Sequence, residues 1–166
     1  MAKKNKKKNR ASDSKSRKPA AKKAAVKKAV ARPAAAPAVK PVDIDPGWAW
    51  DDAYPFVQGK RIGNLIYVSG QVALDRDGNV VGQGDIGAQT RQALDNMRSV
   101  LEAAGSGLKD IVKMNSYITD ASVYRDFSAA RKEFLGDLRP ASTVVVVAAL
   151  AFEGLMVEIE AIALKR

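Results

Sequence analysis

The sequence predicts an α+β domain with helices packed on one face of a mainly antiparallel sheet. Three observations carry this expectation: two amphipathic helix patterns, five strand patterns that frame them in the order ββ-α-β-α-ββ, and an abrupt change of composition near residue 43 that separates the domain from a long basic tail.

The tail distorts any whole-chain average. The 166 residues carry 28 Lys+Arg against 18 Asp+Glu, a net charge of +10. Residues 1–42 hold 15 of the basic residues and only Asp13, whereas residues 43–166 hold 13 Lys/Arg and 17 Asp/Glu, so the tail is +14 and the domain −4. A polyanion partner is therefore expected of the tail alone. The chain has no cysteine and no histidine, which excludes disulfides, thiolate or imidazole metal sites, cysteine nucleophiles and Ser-His-Asp triads. No run approaches the roughly 18 to 20 apolar residues that span a bilayer, and no apolar signal segment opens the chain, so a cytoplasmic protein without membrane contact is expected.

In the tail, Lys clusters alternate with Ala and are interrupted by Pro19, Pro33, Pro37 and Pro41. With so little to bury, such a segment cannot offset an ordering cost of roughly 1 to 2 kcal/mol per residue, and disorder is expected over 1–42. A polyelectrolyte arm on nucleic acid, non-specific and salt-dependent, is one use. A spacer, a targeting segment or a solubilising extension are the others.

The domain begins near Asp43. Trp48, Trp50, Tyr54 and Phe56 supply the aromatic density expected where packing starts. Strand patterns over 56–62 and 65–69 flank Gly63-Asn64, a pair suited to a two-residue hairpin turn, and Asp75-Arg76-Asp77-Gly78 marks a further turn. The run from Gly82 to Gly87 satisfies G-x-G-x-x-G, but a dinucleotide site needs a parallel βαβ unit and would set Asp85 beside a pyrophosphate. Asp85 is better used as the N-cap of a helix over 85–104. That helix turns Leu94, Met97, Leu101 and Ala104 to a core, with Arg91, Asp95, Arg98 and Glu102 on a solvated face where each ion pair contributes a few tenths of a kcal/mol.

A strand is predicted over 111–119 and a second helix over 123–135, with Tyr124, Phe127, Ala130 and Phe134 directed inward; Pro140 blocks continuation. The unbroken apolar run 144–150 reads as a strand buried on both faces. Over 156–164, Val157, Ile159, Ala161 and Ala163 alternate with Glu158, Glu160, Ile162 and Leu164, which places both glutamates on one side.

Six blocks occur in order: Pro55-Phe56-Val57-Gln58-Gly59, Val68-Ser69-Gly70-Gln71, the stretch from Gln89 to Asn96, Asp110-Ile111-Val112-Lys113, Pro140-Ala141 and the stretch from Val157 to Ala163. Together they resemble the Rid family, the reactive intermediate deaminases also called YjgF-like proteins, over about 54–166. The resemblance implies a chorismate-mutase-like sandwich of the bacillus type and a homotrimer with small-molecule pockets in the clefts between subunits. It also implies hydrolysis of imines and enamines formed from amino acids to a keto acid and ammonia, with no metal and no organic cofactor.

The resemblance further implies an arginine two residues after the strand-opening proline, where a planar guanidinium pairs with the substrate carboxylate. Ser142 stands there instead. Weak or no activity on the usual 2-imino acids is therefore expected. Glu158 matches the glutamate that positions the attacking water, Gly70 a backbone contact near the ligand, and Phe56 replaces the usual tyrosine. Val144 holds a position often taken by cysteine. Arg139 and Arg131 are candidates for a displaced cation, each equally suited to a solvated rim. Glu158 and Ser142 also have plainer readings, as a sheet-face carboxylate and a strand-start hydroxyl. A trimer that binds a ligand without catalysis, or nucleic acid through its tails, is the alternative function.

Overall fold

The computed structural model describes residues 39–166; the expectations for the tail fall almost wholly outside them. The described chain forms β1 (Val42–Ile44), β2 (Gly59–Ile62), β3 (Leu65–Val72), α1 (Ile86–Ala103), β4 (Ile111–Ile118), α2 (Tyr124–Leu135), β5 (Ala141–Val146) and β6 (Val157–Leu164). One six-stranded sheet runs β1-β2-β3-β6-β4-β5, antiparallel throughout except for the β4–β5 pair.

Gly63-Asn64 makes the tight turn, with Ile62 paired to Leu65 and Gly63 at φ 64°, a left-handed value that favours glycine. β3 and β4 both run antiparallel to β6 and so lie parallel to each other. The chain crosses from β3 to β4 through α1 and from β4 to β5 through α2, moving the same way along the sheet each time. Right-handed crossovers then place both helices on one face. Asp85 is the N-cap of α1, its carboxylate accepting from the Ala88 N–H at 2.9 Å. The stripe Leu94, Met97 and Leu101 is fully buried against Ile66, Met114, Phe127 and Ile159. On the outer face Arg98 pairs with Asp95 at 2.9 Å and lies over the Phe134 ring, 4.7 Å from its centroid.

The structure departs from the sequence expectations in three places. The first strand of the hairpin starts at Gly59, and Phe56 and Gln58 instead line a cavity. Tyr124 is exposed at the start of α2, because the helix meets the core only from Phe127 onward, through Phe127, Ala130 and Leu135. The strand expected over 144–150 is Ala141–Val146 and is not buried on both faces: as the last strand of the sheet it has one neighbour, and only Val144 packs against the core while Val145 and Val146 are 42% and 53% exposed. The apolar run reflects an uncovered edge and face of this chain. Among the described residues no helix is long and apolar enough to cross a membrane.

Candidate functional site

β6 is the middle of the site. Its alternation buries Val157, Ile159, Ala161 and Ala163 under the helices and turns Glu158 and Glu160 to the open face of the sheet. Glu160 is held there: its Oε1 accepts from Asn115 Nδ2 at 2.7 Å and from the Tyr117 hydroxyl at 3.1 Å. This contact raises the tyrosine above its ordinary range, since the phenol proton is shared with a carboxylate.

Glu158 has a different setting. Glu158 pairs with Val72 of β3, and just before that pair β3 carries one extra residue between Val68 and Gln71, which pair with Ala161 and Ile159, so that Ser69 and Gly70 fall in a bulge. The Glu158 carboxyl occupies the space that a side chain at residue 70 would fill: a Cβ there would lie 2.6 Å from Cδ and 2.9 Å from Cγ of Glu158. Gly70 is therefore required by close approach. Burial raises the Glu158 carboxyl above the ordinary carboxylate range, and the like charge of Glu160 adds to the effect. A carboxyl poised in this way serves as a proton donor and, once ionised, as an acceptor.

Beside Glu158 and Gly70 opens a cavity of about 250 Å³ whose wall includes Phe56, Trp50, Tyr54 and Phe152. Its floor is a chain of buried amides: Gln71 Nε2 donates to Gln58 Oε1 at 2.9 Å, and Gln58 Nε2 donates to Asp51 Oδ1 at 2.6 Å. Among the described residues no cluster of metal-ligating side chains is present.

Residues 49–165 match the family model described as Endoribonuclease L-PSP. The chain belongs to this family. The RutC family protein of Pyrococcus horikoshii is 36% identical over 111 residues, 67% of this chain and 87% of that protein. The 2-iminobutanoate/2-iminopropanoate deaminase of Escherichia coli is 38% identical over 116 residues, 68% of this chain and 88% of the other. Among solved structures, a Rid family protein from Yersinia pestis shares 32% identity with a TM-score of 0.67, covering 75% of this chain and 99% of that one. A protein from Entamoeba histolytica described as a putative endoribonuclease L-PSP shares 31% identity with a TM-score of 0.70, covering 75% and 99%. The Rid resemblance and the α+β fold expected from the sequence are thus both met.

Within this Rid fold the seven residues singled out from the sequence divide into separate places. Phe56, Gly70 and Glu158 line one cavity. Arg131 and Arg139 line a different groove at the end of α2, beside Pro140, where half-burial lowers Arg131 from the usual guanidinium value. Ser142 and Val144 stand on β5 opposite Met114 and Ser116, both buried beneath the helices, which puts them on the helix side of the sheet and two strands from β6. Within one chain Ser142 and the two arginines are therefore not part of the Glu158 cavity. The pattern missed Trp50, Tyr54 and Phe152 as cavity walls. The aromatic density before Phe56 was a signal for the first two, but Phe152 is isolated in a loop with no periodicity to mark it.

Proposed function

We propose that this Rid family protein is a cofactor-independent deaminase that hydrolyses an imine or enamine, with Glu158 as the acid and base. The observation that carries this is the Glu158 carboxyl seated on Gly70 at the edge of a cavity with aromatic walls, where burial favours its protonated form. The protonated carboxyl gives its proton to the enamine carbon, or to the imine nitrogen, and so makes the carbon of the C=N bond electrophilic. The resulting carboxylate takes a proton from a water as its oxygen bonds to that carbon. Proton transfer to nitrogen and cleavage of the C–N bond release ammonia and leave the carbonyl product, with Glu158 protonated again. The 38% identity to a 2-iminobutanoate/2-iminopropanoate deaminase supports the reaction class. Ser142 argues against a substrate held by a guanidinium.

The working form in this proposal is a homotrimer. Tyr67, Val112, Val145 and Val146 leave large apolar side chains exposed on the sheet and its edge, more than a lone domain gains from showing to water. Covering that surface with another copy brings the Ser142–Val144 strand of one subunit toward the Glu158 cavity of the next. The test is ammonia release from enzymatically generated imines by wild-type protein and by Glu158→Gln: loss in the variant with an unchanged thermal midpoint supports the assignment, and equal rates refute it. The tail adds a separate proposal. Three arms of +14 on one body multiply weak phosphate contacts by effective concentration, so the full chain binds duplex DNA without sequence preference at low salt and protein lacking residues 1–42 does not.

A further inference from the structure

The walls of the Glu158 cavity are unlike those a small carboxylate substrate needs. Tyr54 is the hub of an aromatic cluster. Phe56 stacks on it at 5.4 Å between ring centroids, and Phe152 and Trp50 meet it edge-on at 6.0 and 5.9 Å. Trp48 stacks behind Trp50 at 5.3 Å. Phe56 and Phe152 are 50% and 39% exposed, so each keeps ring surface in water that an apolar ligand would cover.

The polar groups of the cavity are occupied with one another. Gln71 donates to Gln58 and Gln58 to Asp51, while Asn96 Nδ2 donates to the Val72 and Leu74 carbonyls. Among the described residues of one chain no Lys or Arg lines the cavity, and Glu158 is the one acidic residue in its wall. A ligand carboxylate would lie beside that carboxyl with no cation to balance it, and burying an unpaired charge is strongly unfavourable. The volume, about 250 Å³, exceeds the roughly 150 Å³ of an apolar cavity that admits benzene, so a ring with a two-carbon arm fits.

We propose that the cavity takes an uncharged arylalkyl imine or its enamine, a molecule with a flat aromatic group and no carboxylate, its ring among Tyr54, Phe56 and Phe152 and its C=N end at Glu158. The reacting end rests on the deaminase proposal, whereas recognition of the ring does not. For a phenylethyl imine, water adds to the C=N carbon and the C–N bond breaks, giving phenylacetaldehyde and ammonia with no other reactant. The reaction that supplies such a substrate is the oxidation of a primary arylalkylamine.

Phenylacetamide, a stable planar neutral analogue, is titrated into the full chain beside phenylacetate and acetamide. Fluorescence of the two tryptophans, Trp48 and Trp50, reports binding. Phenylacetamide should bind at least about tenfold more tightly than either of the others. Phe152→Ala, at a loop residue outside the core, should weaken it by about three- to tenfold, and Phe152→Leu by less. Phenylacetate binding as well as the amide, or no change in Phe152→Ala, would overturn the assignment. If phenylacetamide binds as expected but the enzymatically generated arylalkyl imine is not hydrolysed, the ligand class stands and the deaminase proposal falls. If small 2-imino acids are hydrolysed faster than the arylalkyl imine, the deaminase proposal stands and the ligand class falls.

Discussion

Replacing Gly70 with alanine separates the chemistry of the site from its stability. Gly70 does not use a left-handed φ, so the backbone accepts alanine, but the new Cβ would lie 2.6 Å from Cδ and 2.9 Å from Cγ of Glu158, well inside any real contact. The glutamate must swing out of its place. Overpacking costs about 1 to 3 kcal/mol and the reduced freedom of the unfolded chain returns about 0.4 to 1 kcal/mol. The net loss is then at most about 2.5 kcal/mol, a fall of no more than about 10 °C in thermal midpoint for a domain of this size. Ammonia release should fall far more, by about 10²- to 10⁴-fold, the usual contribution of a positioned acid or base. Because the substitution acts through Glu158, the double variant with Glu158→Gln should be no slower than the slower single variant. Carboxyl ¹³C shifts followed through a pH titration supply a readout free of turnover: the displaced carboxyl should titrate closer to an ordinary glutamate. Activity within about threefold of wild type, with the carboxyl shown to have moved, would remove Glu158 from the mechanism.

Glu160→Gln should lower the apparent pKa of Glu158 by removing a like charge, and that of Tyr117 by replacing its charged acceptor with a neutral amide oxygen, both visible by NMR titration. Glu158 is raised in the folded state, so its contribution to stability is complete below the unfolded carboxylate value of about 4.3 and is lost as pH rises through the raised folded value. Thermal midpoints measured between pH 4 and 8 should accordingly decline more in wild type than in Glu158→Gln. Asp85→Ala removes the N-cap of α1 and should cost about 1 kcal/mol in chemical denaturation. Val145→Glu, on the open face beside Tyr117, should convert a trimer mass in light scattering to a monomer mass while leaving the far-ultraviolet spectrum unchanged.

What the residues disclose in one dimension follows from how local each cause is. The α1 stripe, the Asp85 cap, the Gly63-Asn64 turn and the Glu158/Glu160 alternation are each fixed by neighbours within about four positions, and each is present in the fold. β1 has three residues and exists only through its ladder to β2, so no periodicity marks it. The apolar run at 144–150 is compatible with a buried strand or an uncovered one, and only its rank in the sheet order distinguishes them. The site divides the same way. Glu158 and Gly70 were legible from motif blocks, but their contact depends on a bulge in β3 opposite β6, some 90 residues apart in the chain. The cavity wall at Phe152 depends on a loop folding back onto Tyr54.

The strand that joins the two halves of the sheet, β6, is the last of the six in chain order. Without it β3 and β4 have no common strand partner, and the hairpin and the β4–α2–β5 unit show open strand edges, joined only by the packing of α1 on β3 and α2. The pairing of β6 with β3 spans most of the domain in sequence, the kind of contact that slows folding and leaves strand edges open to other chains meanwhile. Truncation by even a few residues at the C-terminal end of β6 should therefore impair folding more than an equal loss from β1, which closes an outer edge of the sheet.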